Sequence, residues 1–369
     1  MKINALQLKK LLTQTMDNVS TGIFPTKKLP PLMIWSGPGV GKSSIIRDLA
    51  QEYDIGFVDI RLAQREPVDL RGLPVPDLKK EIVKWLLSSE WPRDPKSRGI
   101  ILFDELTAAD RTLQVAAYEL ILDRRLGDLY KVPDGWYICA AGNRCEDRAV
   151  ATTMSSALAN RFLHVELEPD INSWVDWGQA NGVHATVINF LRFCPDLLYR
   201  QKDENLERGW PSPRSWERVS TMLEMFNVKQ SDLLRAAVYG LVGKAAGAEF
   251  LAFHSLGSKI GDVGAMMRGT AKIKIPKSPD QIYAFCAAIN YHLWSGASPA
   301  EEKQLLDGFF KLSLALSSDF AGMVMADALG SAEDPTRHAD RSHKLFGHPQ
   351  YAAWNKCHGK AFRKYRGEE

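Results

Sequence analysis

The sequence predicts an α/β fold, in which a mostly parallel sheet is covered by helices and followed by an all-helical region. Up to Pro169, short apolar runs alternate with stretches of helical spacing. Four of the five runs are close to continuously apolar, which is typical of strands buried on both faces of a parallel sheet. After Pro169 the segments are long, helical and separated by Pro or Gly. We therefore expect a sheet-containing half and a helical half.

The elements follow in chain order. Leucines at helical spacing between Leu6 and Val19 predict an opening helix, which the stretch FPTKKLPP ends. The predicted strands are 32–35, 56–62, 99–103, 136–142 and 162–167. The change in pattern predicts an α/β domain at 1–168, a helical domain at 169–268 and a helical extension with a basic tail at 269–369.

Bulk composition excludes several classes of protein. The 369 residues are 45% apolar and 25% charged, with a net charge of +3, which is ordinary for a soluble globular protein. Five cysteines are spread along the chain without a C-x-x-C pair, which argues against a disulfide framework or a zinc site. The sequence shows no signal peptide and no apolar run near the ~20 residues that span a bilayer. We expect a cytoplasmic protein without membrane contact.

A glycine-rich stretch, SGPGVGKSS at 36–44, lies between the first of the five strands and a helix. Glycines permit positive φ and close backbone approach, so such a loop can wrap a phosphate with its own N–H groups. Lys42 can reach the β- and γ-phosphate oxygens of ATP, and Ser43 can ligate Mg²⁺. The residues predicted to bind the nucleotide are Gly37, Pro38, Gly39, Val40, Gly41, Lys42, Ser43 and Ser44.

One position departs from the phosphate-loop pattern, because Ser36 stands where the first glycine is usual. That position mainly shapes the turn, and Gly37 and Gly39 remain, so we expect phosphate binding to survive. The simpler interpretation is a glycine-rich turn that happens to carry a lysine.

A second motif, GIILFDEL, places two acids at the end of a buried strand. Asp104 can hold Mg²⁺ through water, and Glu105 can orient and deprotonate an attacking water. The alternative is a helix N-terminus that uses acids to meet its dipole. Because the loop and the acid pair occur about sixty residues apart, as in phosphate-loop hydrolases, we favour hydrolysis.

Three further polar residues are candidates for the same chemistry. Asn143 ends the next strand and could bond both the γ-phosphate and the attacking water, although a lone Asn there is usually a turn residue. Arg161 follows a short helix and could reach a neighbouring subunit's γ-phosphate, or form a surface ion pair. Arg214 begins a helix in the helical half, from which it could contact the phosphates of the nucleotide that its own chain binds.

These five elements, in this order, resemble the AAA+ ATPases over residues 25–220. The resemblance assigns Walker A to 36–43, Walker B to 100–105, sensor 1 to Asn143, the arginine finger to Arg161 and sensor 2 to Arg214. It implies a five-stranded sheet of order 5-1-4-3-2, a helical lid, and a homo-oligomeric ring, commonly a hexamer, with ATP bound between subunits.

Within AAA+ the chain looks most like the MoxR group. DIRLAQREPVDLRGLPVPD at 59–77 occupies the region where that group carries an inserted loop or hairpin, and RRLGDLYKVPDGW at 124–136 is similar to its hairpin before sensor 1. Membership implies a chaperone-like role, often with a partner that bears a von Willebrand factor A domain. The stretch LRGLPVPD is then a substrate loop or a plain surface connection.

Two alternatives stay open beside remodelling of a protein partner. A nucleic-acid motor is suggested by the tail 337–369, which carries eight Lys or Arg against three acids, with interleaved aromatic residues. The low net charge and the lack of a DNA-binding motif weigh against it. A nucleotide-gated scaffold that barely hydrolyses ATP is the other alternative, and Glu105, Asn143 and Arg161 argue against it.

Overall fold

The computed structural model describes residues 1–22, 24–144, 154, 156–201, 208–226, 231–296, 298–330 and 335–366. It divides into two compact units, Met1–Pro169 and Asp170–Glu369. The helices of the first unit are α1 (Ala5–Thr21), α2 (Lys42–Glu52), α3 (Pro67–Arg71), α4 (Arg111–Asp123) and α5 (Ser156–Ala159). Its strands are β1 (Lys2–Ile3), β2 (Leu32–Trp35), β3 (Gly56–Arg61), β4 (Leu73–Asp77), β5 (Ile82–Leu86), β6 (Gly99–Asp104), β7 (Arg125–Leu126), β8 (Tyr130–Lys131), β9 (Trp136–Gly142) and β10 (Leu163–Leu167).

The main sheet is parallel throughout, with the order β1-β10-β2-β9-β6-β3. Its five longer strands are the five predicted ones, and they follow the order 5-1-4-3-2 that the AAA+ resemblance implies. The predicted number of strands was wrong by one, because β1 adds a sixth beside β10. Two residues carry no periodicity that a sequence pattern could reveal, yet Ile3 is buried and its carbonyl accepts from the Glu168 N–H.

The sheet is buried on both faces, as the continuously apolar runs predict. Neighbouring residues along β6 point to opposite faces, so Ile100 and Leu102 join one hydrophobic cluster while Ile101 and Phe103 join another. Helices α1 and α2 contribute to the first cluster through Leu8, Leu12, Ile46 and Leu49, and α4 contributes to the second. The site described below lies where these parallel strands end.

Two small hairpins extend from the first unit. Strands β7 and β8 pair antiparallel around Gly127 (φ 50°), within the stretch 124–136 that resembles a hairpin of the MoxR group. Strands β4 and β5 form the second hairpin, with Leu73 opposite Leu86 and Asp77 opposite Ile82. This hairpin reaches beyond the stretch 59–77 that the resemblance singled out.

In the residues that the structure describes, the regular elements of the second unit are α-helices and one short 3-10 turn at Pro195–Leu197. Its helices are α6 (Ile171–Ala180), α7 (Ala185–Phe193), α8 (Pro213–Met225), α9 (Asp232–Val242), α10 (Lys244–Lys259), α11 (Val263–Met267), α12 (Pro279–Leu293), α13 (Pro299–Leu314), α14 (Ser318–Leu329), α15 (Pro335–Phe346) and α16 (Tyr351–Tyr365). One hydrophobic cluster joins residues from Trp174 to Phe362. Among the described residues, none of the helices is long and apolar enough to cross a membrane.

A buried polar cluster ties several of these helices together. Asp327 of α14 pairs with Arg192 of α7, and the two side chains are only 6% and 11% exposed. Gln179 of α6 donates to the same carboxylate at 2.8 Å, and Asn290 of α12 donates at 3.4 Å. The nearby Asp327 carboxylate raises the pKa of Arg192 against the opposing effect of burial, so the guanidinium is charged.

Candidate nucleotide-binding site

The loop between β2 and α2 has the backbone of a phosphate cradle. Gly39 and Gly41 adopt φ values of 82° and 104°, a region in which residues with a side chain are strained. Gly41 occupies the N-cap of α2 and makes no side-chain cap bond to the first N–H groups of the helix. Those N–H groups therefore suit an anion, and the helix dipole adds to their effect.

Lys42 is held over this loop by hydrogen bonds to oxygen atoms of the loop and of Asn143. Its ammonium group donates to the Ser36 carbonyl, the Ser36 hydroxyl and the Asn143 side-chain oxygen at 3.0 Å each, and to the Gly37 carbonyl at 3.3 Å. Ser36, the residue that departs from the phosphate-loop pattern, thus contacts the lysine of that pattern through its hydroxyl. Lys42 and Asn143, 101 residues apart in sequence, meet because β2 and β9 are neighbours in the sheet.

Ser43 and Asp104 meet in the same region, with the Ser43 hydroxyl donating to Asp104 Oδ2 at 2.5 Å. Asp104 is the last residue of β6, and Ser43 is in the first turn of α2. A hydroxyl oxygen beside a carboxylate oxygen is the ligand chemistry that Mg²⁺ prefers, so the two residues present fit that ion.

Glu105 has a backbone that is unusual for its residue type. Its φ is 56°, in the left-handed region, and its N–H donates to Asp104 Oδ1 at 2.8 Å. Its carbonyl accepts from the N–H groups of Ala108 and Ala109, so the turn after β6 is fixed on both sides. A non-glycine residue in this conformation carries strain that surrounding contacts must hold, and such residues cluster at functional sites.

Asn143 is fixed by a residue that sequence reasoning missed. The buried Thr107 hydroxyl accepts from the Asn143 N–H at 3.2 Å and donates to its carbonyl at 3.4 Å. Gln114 of α4, also buried, donates to the carbonyls of Leu106 and Ala109 and so holds the turn that carries Thr107. Neither residue belongs to a motif, and only the three-dimensional structure reveals them.

A further acid, Asp59 of β3, lies close to Asp104. Burial raises the pKa of Asp59, the charge of Asp104 acts in the same direction, and Arg61 and Arg47 act against both. Arg47 of α2 donates to Asp59 Oδ2 at 3.2 Å, while Oδ1 is buried without a described partner. Two carboxylates near one another concentrate negative charge beside the Ser43–Asp104 pair, which favours a cation there.

Of the two predicted arginines, Arg161 belongs to the first unit and Arg214 to the second. Arg161 is exposed in the turn between α5 and β10, and it forms no ion pair with any described residue. Arg214 is exposed in the first turn of α8, in the second unit, where Ser212 caps the helix and Pro213 begins it. The structure therefore brings together Lys42, Ser43, Asp104 and Asn143, with Glu105 adjacent in sequence to Asp104, and the roles of the arginines stay predictions.

No protein-family model matches the chain, and no curated protein sequence matches it. Among solved structures, the chain is similar to a protein described as a candidate ATPase from Cytophaga hutchinsonii, with 16% identity over 82% of this chain and 86% of that chain and a TM-score of 0.31. It is similar to a RuvB variant from Thermotoga maritima, with 12% identity, 78% and 83% coverage and a TM-score of 0.37. It is also similar to a katanin structure, with 16% identity, 67% and 81% coverage and a TM-score of 0.35. At identities and TM-scores this low, no residue role is transferred from these proteins.

Proposed function

We propose that the protein is an AAA+ ATPase that binds and hydrolyses Mg-ATP. The observation that carries this proposal is the meeting of Lys42, Ser43, Asp104 and Asn143 at one edge of the sheet, beside an uncapped helix N-terminus. Lysine, hydroxyl, carboxylate and amide groups at such a place match the needs of phosphoryl transfer to water. The sheet order agrees with the same family.

Each side chain has a role in this proposal. Lys42 binds the β- and γ-phosphate oxygens, and residues 37–44 supply backbone N–H groups to the phosphates. Ser43 and Asp104 would hold Mg²⁺, which neutralises phosphate charge when bound. Glu105 accepts a proton from the attacking water, and Asn143 orients that water.

Binding and turnover can be separated by substitution. Lys42→Ala should lose nucleotide binding, because the α2 N-terminus alone cannot neutralise a triphosphate. Glu105→Gln should bind ATP but not turn it over, because the amide cannot take the proton. Lys28→Ala removes an exposed lysine of the same unit and should change neither property. Fluorescent-nucleotide titration and phosphate release measure the two effects, and unchanged nucleotide affinity in Lys42→Ala would refute the assigned site.

We propose further that the site is completed in a ring, with Arg161 of one copy reaching the γ-phosphate held by its neighbour. An exposed arginine without a described ion pair is available for such a contact. Arg161→Ala protomers keep an intact cradle, and Glu105→Gln protomers keep an intact arginine. Mixing the two inactive variants should therefore restore activity at interfaces where the cradle of an Arg161→Ala protomer meets the Arg161 of a Glu105→Gln protomer. Absence of recovery in rings shown to be mixed would count against a shared site.

The β4–β5 hairpin supports a protein as the target, in line with the MoxR resemblance. Its side chains leave apolar surface exposed, for example Leu78 at 85% and Leu86 at 59%. Pro74 and Pro76 face Trp85 and Val83 across the hairpin, and proline cannot donate, so these are the pairs without mutual hydrogen bonds. The backbone groups of Val83 and Trp85 consequently point away from β4, where an extended polypeptide could pair with them.

This target class has a direct test. A permanently unfolded probe, reduced and carboxymethylated lactalbumin, should stimulate ATP hydrolysis by the wild-type ring. Val83→Pro removes one outward N–H and should abolish the stimulation while basal hydrolysis is kept, whereas Val83→Thr should retain it. Equal stimulation of both variants would exclude the β5 edge as the contact. A von Willebrand factor A partner is proposed from the resemblance alone.

Nucleic acid stays the second candidate, on the strength of α16. Lys356, Lys360, Arg363 and Lys364 are exposed on this helix, and the stretch 351–366 contains no acid. A phosphate backbone would suit that surface, and its binding would weaken steeply with salt. Salt-dependent DNA binding that is lost in Lys360→Glu, together with no response to unfolded protein, would favour this function over remodelling.

A further inference from the structure

A hydrogen-bonded histidine connects the two places that the proposed shared site needs. The Trp35 indole N–H donates to His164 Nδ1 at 2.9 Å, and His164 Nε2 lies 2.7 Å from the Ala159 carbonyl oxygen. Trp35 is the last residue of β2, directly before the phosphate loop. Ala159 is the last residue of α5, two positions before Arg161.

The contacts fix the protonation pattern of the imidazole. Because the indole can only donate, Nδ1 must accept and cannot carry a proton. The hydrogen of the neutral ring is therefore on Nε2, where it is donated to Ala159. The ring also stacks on Trp35, with centroids 6.0 Å apart and planes 20° apart, and Phe162 lies 6.0 Å away on a tilted plane. His164 thus has a single orientation.

The turn that carries Arg161 packs its Leu158 and Phe162 side chains into the hydrophobic cluster, and its backbone bonds are local. Helix α5 spans only four residues, and a helix this short is not stable by itself. The local bonds that continue it are Asn160 N–H to the Ser156 carbonyl at 3.1 Å, Arg161 N–H to the Leu158 carbonyl at 3.1 Å and Phe162 N–H to the Ala159 carbonyl at 3.3 Å. The bond from His164 joins this turn to a strand 129 positions away from the histidine.

We propose that His164 is a positioning residue, which holds the Arg161 turn in register with the strand that leads into the phosphate loop. In this role it acts on neither the nucleotide nor the attacking water, and sets where Arg161 points toward the neighbouring copy. The inference rests on the proposed shared site. Its consequence is that loss of the His164 bonds damages the half of the site that is offered to the neighbour and leaves the chain's own cradle intact.

Substitutions at both ends of the contact test this role. His164→Phe keeps a stacked ring but removes both hydrogen bonds, and should lower kcat about tenfold or more, since small misplacements at a reacting centre are costly. The nucleotide Kd should stay within about twofold, because the cradle is untouched. His164→Gln, which can accept and donate, should recover much of the activity. Trp35→Phe removes only the donated bond and should give an intermediate loss.

Mixed rings distinguish positioning from a general structural defect. His164→Phe protomers should complement Glu105→Gln protomers, because the former supply the cradle and the latter supply Arg161. They should not complement Arg161→Ala protomers, which share the same defective half. If Arg161→Ala complements Glu105→Gln while His164→Phe does not, the role of His164 is overturned and the shared site stands. If neither pair complements in rings shown to be mixed, the shared site fails and the role of His164 fails with it.

Discussion

Strain at Glu105 can be measured by comparing two substitutions that both remove its carboxylate. At φ 56°, a residue with a Cβ is disfavoured by ~1–2 kcal/mol, whereas glycine is not. Against this, glycine makes the unfolded chain more flexible, which lowers the stability of Glu105→Gly by ~0.5–1 kcal/mol. Glu105→Gly should therefore be about 0.5–1 kcal/mol more stable than Glu105→Ala. For a unit of this size that corresponds to a melting temperature higher by roughly 1–4 °C.

The matched control is Val115, an exposed position inside α4. In an exposed helix interior, alanine is favoured over glycine by ~1 kcal/mol, so the order of the two variants should reverse. Calorimetry of the full chain without nucleotide measures both pairs, and the transition that Val115→Gly lowers identifies the first unit. If Glu105→Ala is as stable as Glu105→Gly, the backbone at Glu105 is not strained. Both Glu105 variants should lack turnover.

Three further results are expected. Asp327→Ala should cost about 3–5 kcal/mol, because it leaves the Arg192 charge buried, and Arg192→Met with Asp327→Leu should recover most of that loss in urea unfolding. Burial, aided by the charge of His254, lowers the pKa of His184 from 6.5 to about 4. Between these two pH values the unfolded chain binds a proton that the folded chain does not. The free energy of unfolding should therefore fall as the pH drops from 6.5 to about 4, by up to ~1.4 kcal/mol per pH unit. His184→Asn should flatten that slope, and an unchanged slope would contradict the assignment. Ser36→Gly removes the hydroxyl contact of Lys42 and should change the nucleotide Kd without changing the melting temperature by more than a few degrees.

The main strands were predictable because their burial leaves a local mark. β2, β6 and β9 are buried along almost their whole length, and each reads as an apolar run. β1 was missed because two residues are too few for a pattern, and its existence depends on pairing with β10. A local pattern of apolar residues indicates burial, but it does not indicate which distant strand pairs at the edge of the sheet.

The site likewise contains contiguous motifs, which the sequence predicts, and residues that act through contacts distant in sequence, which it does not. The phosphate loop and the acid pair are contiguous motifs, so the sequence predicts them and their chemistry. Thr107, Gln114 and His164 act through bonds whose partners are set by strand adjacency and by the fold of a turn. Their residue types are common at structural positions, and no spacing distinguishes them. Thr107 stands three positions after Asp104, where a hydroxyl carries no signal of its own.

The Asp327 carboxylate has a consequence for how the helical half can be divided. It accepts hydrogen bonds from side chains of α6, α7 and α12, so it joins segments up to 148 positions apart. A chain cut after residue 268 would retain the guanidinium of Arg192 and lose its counter-ion, along with much of the apolar cluster around it. The helices before and after that point should accordingly melt in a single step, and neither part should be recoverable as an autonomous folded fragment.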